Sequence, residues 1–193
     1  MRWYNDLAVR TSHSAWLFVM SAVFAFGSLS FVFMNINVAF EPVVGAQMFD
    51  FQNNLTTTQI YEQLQNYTEE TFALYYAFLF IDFYFPFFAG LVLAAAAAFS
   101  WRYLMPARYE RIKARNLFAL FLLPTLFDWG ENLFAITVVG AYPDMLQWAA
   151  SGLVLCKKAK LATVMLANLV TGLSLVLCAL KWLGAKAGLF KSP

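Results

Sequence analysis

Leu126-Phe127-Asp128-Trp129-Gly130-Glu131-Asn132-Leu133 sets two acids and an amide in the middle of a stretch, residues 117–141, that is otherwise apolar. Asp128, Glu131 and Asn132 are spaced i, i+3, i+4, so in a helix they share one face and lie one above another. The stretch also exceeds the roughly 20 residues that a helix needs to cross a bilayer. The fold turns on whether that helix sits in water or in lipid.

Composition answers the question. The chain has 193 residues, of which 62% are hydrophobic and 12% charged, and its mean hydropathy is +0.62. A water-soluble globule of this size could not hide so much apolar surface. Four apolar runs are long enough to span, at approximately 14–36, 71–101, 117–141 and 161–182. They use up most of the length and leave no room for a soluble catalytic domain. The expectation is a single transmembrane domain over 1–193: an all-α membrane protein with four transmembrane helices in an antiparallel bundle.

Charge placement gives orientation. Residues 37–70 form a polar loop with Glu41, Asp50, Glu62, Glu69 and Glu70 and no lysine or arginine, so by the positive-inside rule this loop faces away from the cytoplasm. Arg102, Arg108, Arg111, Lys113 and Arg115 against Glu110 make the next loop cytoplasmic. This basic loop reads as a topology signal or an anionic-lipid contact rather than a nucleic-acid surface. Both termini are then cytoplasmic. Residues 1–13 read as a short amphipathic lead-in at the membrane surface, with His13 as an interfacial side chain. The first apolar run is too long for a signal peptide and is read as retained.

Local signals refine the loop. Thr56-x-x-Gln59 has the form of a capping box, and Ile60, Leu64 and Tyr67 recur at helical spacing, which predicts a short surface helix. Asn54-Leu55-Thr56 and Asn66-Tyr67-Thr68 match the glycosylation sequon, which matters only in a eukaryotic chain.

The second span carries Phe80-Ile81-Asp82-Phe83-Tyr84-Phe85-Pro86. Pro86 cannot donate the hydrogen bond that the Asp82 carbonyl would otherwise accept, so a kink is expected beside the acid. Gly90, Ala94 and Ala98 then repeat every four residues as a ridge for close helix packing. From Met145 to Leu155 an apolar stretch too short to cross precedes Lys157, Lys158 and Lys160. It predicts a short embedded or interfacial helix before the last span, which Lys181, Lys186 and Lys191 close on the cytoplasmic side. The lysines at 157, 158 and 160 then fall on the outer side, against the charge bias. Either they snorkel to outer headgroups, or the joining helix dips inward and a lysine neutralises the buried acids.

Asp82 and Asp128 each lie about 11 residues inside their spans, roughly 16 Å deep and close to the bilayer midplane. They can be neighbours, with Glu131 above. Each acid at that depth costs on the order of 3 kcal/mol by insertion scales, so the three need partners, protons or water. Close together in a low dielectric they cannot all stay ionised unless a lysine or a bound cation supplies positive charge. Proton relays, cation sites and general acids use such groups. Tyr84 and Trp129 join them as candidate site residues, with Asn132 as the orienting amide and Lys157, Lys158 and Lys160 as candidate counter-charges. Polar Asn168, Thr171 and Ser174 of the last span are positioned to close one side of an aromatic-walled pocket.

Other chemistry is thinly represented. Cys156 and Cys178 are not arranged as a redox pair and read as packing residues. A single histidine, His13, argues against histidine-rich metal sites, bis-histidine haem and serine–histidine triads. No cofactor and no metal are expected. Three functions stay open. The first is a site that binds or translocates a cation, a proton or a hydrophobic small molecule. The second is an accessory or assembly subunit of a membrane complex, with the acids as a packing knot. The third is an intramembrane enzyme on a lipid-like substrate, with one acid as proton donor and another as base.

The residues Phe80 to Pro86 in one span and Phe127 to Asn132 in the next, followed by lysines ahead of a last span, resemble a pattern in small four-span bacterial membrane proteins. The resemblance covers most of the chain from the second span onward. It implies a bacterial inner-membrane location and carries no activity.

Overall fold

The computed structural model describes residues 1–187; Lys191 lies outside them. Among the described residues the secondary structure is helical throughout, with no strand. Four helices are long and apolar enough to cross a membrane: α2 (Ala15–Val44), α4 (Glu69–Leu104), α6 (Leu117–Ala141) and α7 (Gln147–Lys186). Shorter helices precede or join them: α1 (Arg2–His13), α3 (Thr57–Leu64) and α5 (Pro106–Ala114).

The amphipathic start of the chain is α1, and it is more than a surface lead-in. Tyr4, Ala8 and Thr11 recur at helical spacing and are buried, packing the helix on α4 and the first turns of α6. Extended backbone at Ser14 ends α1, and its hydroxyl accepts from the Leu17 amide to cap α2. Helix α2 runs past the expected end of the first span, through a wider π turn at Val32–Asn37, and stops at Gly45. Gly45 has φ 78, and its N–H donates to the Glu41 carbonyl at 2.9 Å, a left-handed stop that costs glycine little.

The acidic segment that follows does not hang free. Met48, Phe49, Leu55, Ile60 and Leu64 are buried against α2, α4, α6 and α7. The expected capping box forms, with Thr56 Oγ1 accepting from the Gln59 amide and Gln59 Oε1 accepting from the Thr56 amide. Thr68 and Thr71 form a second box at the start of α4.

Helix α4 breaks at Phe83–Tyr84 and restarts with Pro86 in the first turn of its second half. Helix α6 answers the break: Trp129 Nε1 donates to the Phe83 carbonyl at 2.6 Å, and Thr125 Oγ1 donates to the Pro86 carbonyl at 3.0 Å. Gly90, Ala94 and Ala98 are all buried. A Cβ on Gly90 would stand 2.8 Å from the Phe121 carbonyl oxygen, so the small-residue ridge is used within this chain.

The last helix departs from expectation. Residues 145–155 were expected as a separate short element, yet α7 runs unbroken over 40 residues. A lysine step interrupts hydropathy, not backbone hydrogen bonding, and residues 147–186 hold no proline. At 1.5 Å per residue α7 is about 60 Å long and exceeds a hydrocarbon core of about 30 Å. Its pairing with α6 is close. A Cβ on Gly130 would lie 3.0 Å from Cys156 Sγ, and one on Gly152 would lie 2.6 Å from the Phe134 ring. Positions rise on α6 as they fall on α7, so the two helices pass in opposite directions.

Two apolar clusters result. One gathers Phe40, Phe49, Tyr75 and Val138, and the other gathers Tyr4, Leu91, Ala94 and Phe118. Along α4 and along α6 the acids fall between them.

Candidate functional site

Asp82 is the last helical residue before the break in α4, and Asp128, Glu131 and Asn132 form the inward face of α6. All four are buried. Asn132 Nδ2 donates to Asp82 Oδ2 at 3.0 Å and reaches Asp128 Oδ2 at 3.5 Å, so one amide links the acids of two helices.

Lys157 and Lys160, one turn apart on α7, turn into the same space. Lys157 Nζ donates to Glu131 Oε1 at 3.1 Å and to the carbonyls of Phe49 and Asp50 at 2.7 and 2.9 Å. Its three N–H groups are thereby all used. Lys160 Nζ lies 2.8 Å from Asp50 Oδ1, 2.8 Å from Asp128 Oδ1 and 2.6 Å from Glu131 Oε2. The Glu131 Oε2 contact is electrostatic, because that oxygen lacks hydrogen-bond geometry to any donor. The lysine question raised by the sequence therefore has a geometric answer, with ion pairs between α7 and the acids.

Of the nine candidate site residues, six meet here. Trp129 stands next to them as the donor that closes the α4 break. Tyr84 packs edge-on to Phe80 and is not in the hydrogen-bonded network, while Lys158 is exposed on the other side of α7. The member that sequence reasoning missed is Asp50, assigned to a solvated acidic loop. Its signal was local: Phe49-Asp50-Phe51 sets an acid between two phenylalanines. Those three residues form a tight turn that carries the carboxyl inward. Burial works against the charged form of Asp50, but Lys160 and then Lys157 outweigh it and hold the carboxyl below the ordinary carboxylate range.

Four carboxyl groups thus meet two ammonium groups. Asp82 has no basic partner within salt-bridge reach among the described residues, and its Oδ1 takes no hydrogen bond there. Asp50 Oδ2, on a side chain only 4% exposed, and Asn132 Oδ1 are also buried without a donor. One oxygen each from Asp50, Asp82 and Asp128 lie within 4.8 Å of one another, close enough to share an ion.

Beside this cluster is a cavity of about 370 Å³, within the size range of small-molecule sites. Asp50, Asp82, Asp128 and Lys160 line one part, and side chains such as Leu29, Phe85, Leu93 and Val164 line the rest. Asn168 also lines it. Thr171 and Ser174, expected beside Asn168, instead donate to the Leu93 and Val170 carbonyls. The arrangement can hold a positive group against the Asp82 carboxylate while apolar parts rest on the walls.

Comparison of the chain with family models, with curated proteins and with solved structures finds no match.

Proposed function

We propose that this chain is an integral membrane protein whose buried acids bind a small hydrophobic or amphiphilic cation. On this reading α2, α4, α6 and α7 are the spans of an antiparallel bundle, with both termini cytoplasmic, in a bacterial inner membrane. The charge bias of the loops and the resemblance to small bacterial four-span proteins support that placement. One observation carries the functional reading: carboxyl groups outnumber ammonium groups at one part of a cavity that is otherwise mostly apolar. Two excess negative charges in a low dielectric demand protons or a cation, and the adjoining space admits more than a proton. Asp82 carries most of this role, since the lysines hold the other acids.

The test is equilibrium binding of benzylammonium to the purified protein in detergent micelles, for wild type and Asp82→Asn. Asparagine keeps an oxygen for Asn132 Nδ2 and removes the charge. The expected result is saturable binding by wild type and at least about a tenfold loss in the variant, with unchanged thermal unfolding. Equal binding by the two proteins overturns the proposal.

A second reading has its own support. Lys157 is fully satisfied by Glu131 and two carbonyls, as in a static knot that sets helix register for an accessory subunit of a membrane complex. That half of the cluster is structural in either reading. Copurification with a larger partner, lost in Asp82→Asn without loss of folding, would favour the subunit.

A further inference from the structure

The cavity has a side that the cation reading does not explain. Ala25 and Leu29 of α2 form one flank, and Leu161, Val164 and Asn168 of α7 form another. Helix α2 packs along α4 and α1, whereas α7 packs along α6 and α4. The cavity therefore lies at a seam between the first and last long helices. Phe26, 64% exposed, and exposed Asn168 stand at its rim, among exposed Val23, Met165 and Leu169. If these helices span the membrane, the seam faces hydrocarbon. An asparagine exposed in the middle of such a helix is costly there. Its Nδ2 donates to the Val164 carbonyl at 2.9 Å, and its carbonyl oxygen takes no hydrogen bond among the described residues.

The acceptor at the inner end limits the head group. Asp82 lines the cavity and is 5% exposed. Its Oδ2 accepts from Asn132 while its Oδ1 takes no hydrogen bond among the described residues, and a buried acceptor is satisfied only by an N–H or O–H. A quaternary cation supplies charge without donors, whereas a primary ammonium supplies both. Resting on the cation-binding reading above, we infer that the cavity takes a single-chain primary amine from the membrane, entering between α2 and α7. The ammonium meets Asp82 and its neighbours, and the chain passes out between Phe26 and Asn168.

The experiment uses the full chain in phosphatidylcholine nanodiscs. The probes are octadecylamine, octadecyltrimethylammonium and benzylammonium, with a diazirine-bearing octadecylamine for cross-linking and peptide mapping. Octadecylamine is expected to bind at least about tenfold more tightly than either other cation, with cross-links on the peptides holding Phe26, Leu29, Val164 and Asn168 that disappear in Asp82→Asn. Benzylammonium binding as tightly as octadecylamine overturns the seam while leaving the cation site intact. Cross-links spread evenly over the lipid-facing helices overturn it as well. Loss of Asp82-dependent binding for every cation defeats the underlying reading instead.

Discussion

Lys160 Nζ stands 2.8 Å from Asp50 Oδ1, and the two residues are 110 positions apart, so one ion pair fastens the segment after α2 to the last helix. Lys157 reinforces the attachment through the Phe49 and Asp50 carbonyls. The turn that bears Asp50 is thereby part of the wall of the cavity rather than a loop above it.

The attachment should open in acid. The folded chain holds the Asp50 carboxyl below its ordinary value, so its contribution is complete above the unfolded value and disappears as pH falls through the depressed folded one. The protection factor of the Phe51 amide, which donates to the Met48 carbonyl at 3.0 Å, is expected to be high at neutral pH and to fall below the ordinary carboxylate range once the rate is corrected for intrinsic exchange. Asp50→Asn should show fast exchange at neutral pH. Equal protection in both proteins at every pH would sink the assignment.

Lys157→Met should destabilise the fold more than it affects binding. Glu131 is fully buried and would keep only Lys160. Breaking a buried pair from one side costs about 3–5 kcal/mol. The double variant Lys157→Met/Glu131→Gln should recover part of that loss in denaturant titrations of the protein in mixed micelles. A double variant no more stable than the single one would count against the pair.

Lys160→Ala should create a metal site. The ammonium now sits on oxygens of both Asp50 and Asp128, and the three aspartates are close enough to share an ion. Without it, calcium at millimolar concentration should raise the thermal midpoint of the variant and leave wild type unmoved, since hard cations favour clustered carboxylate oxygens. A variant indifferent to calcium would show that the oxygens cannot converge.

Gly90→Ala should loosen the contact between α4 and α6. The new Cβ would meet the Phe121 carbonyl at 2.8 Å and Tyr4 Oη at 3.1 Å, and backbone cannot swing away as a flexible side chain can. Overpacking of this kind costs about 1–3 kcal/mol. Thermal unfolding in detergent reads the change, and a midpoint equal to wild type would mean that the helices part without cost.

The long helices were legible in the chain because hydropathy and length are local properties, summed along consecutive residues. Residues 117–141 needed no partner to declare themselves, and the capping box at Thr56 and Gln59 closed as written. The shared face of Asp128, Glu131 and Asn132 followed from helical period alone, as did the perturbation at Pro86. What reached across the chain was not legible. Nothing next to Asp50 says that Lys160 is its partner, nor next to Trp129 that its indole would meet the Phe83 carbonyl. The unbroken α7 was misread for a related reason: lysines interrupt an apolar run without breaking a helix, and only packing against α6 and the Phe49–Phe51 turn shows where their charges go. The chain by itself determined where the four long apolar helices run and that acids inside such helices need partners. The tertiary structure decided which acids keep a lysine and which face the cavity, because pairing of buried charges depends on distances set by the whole fold.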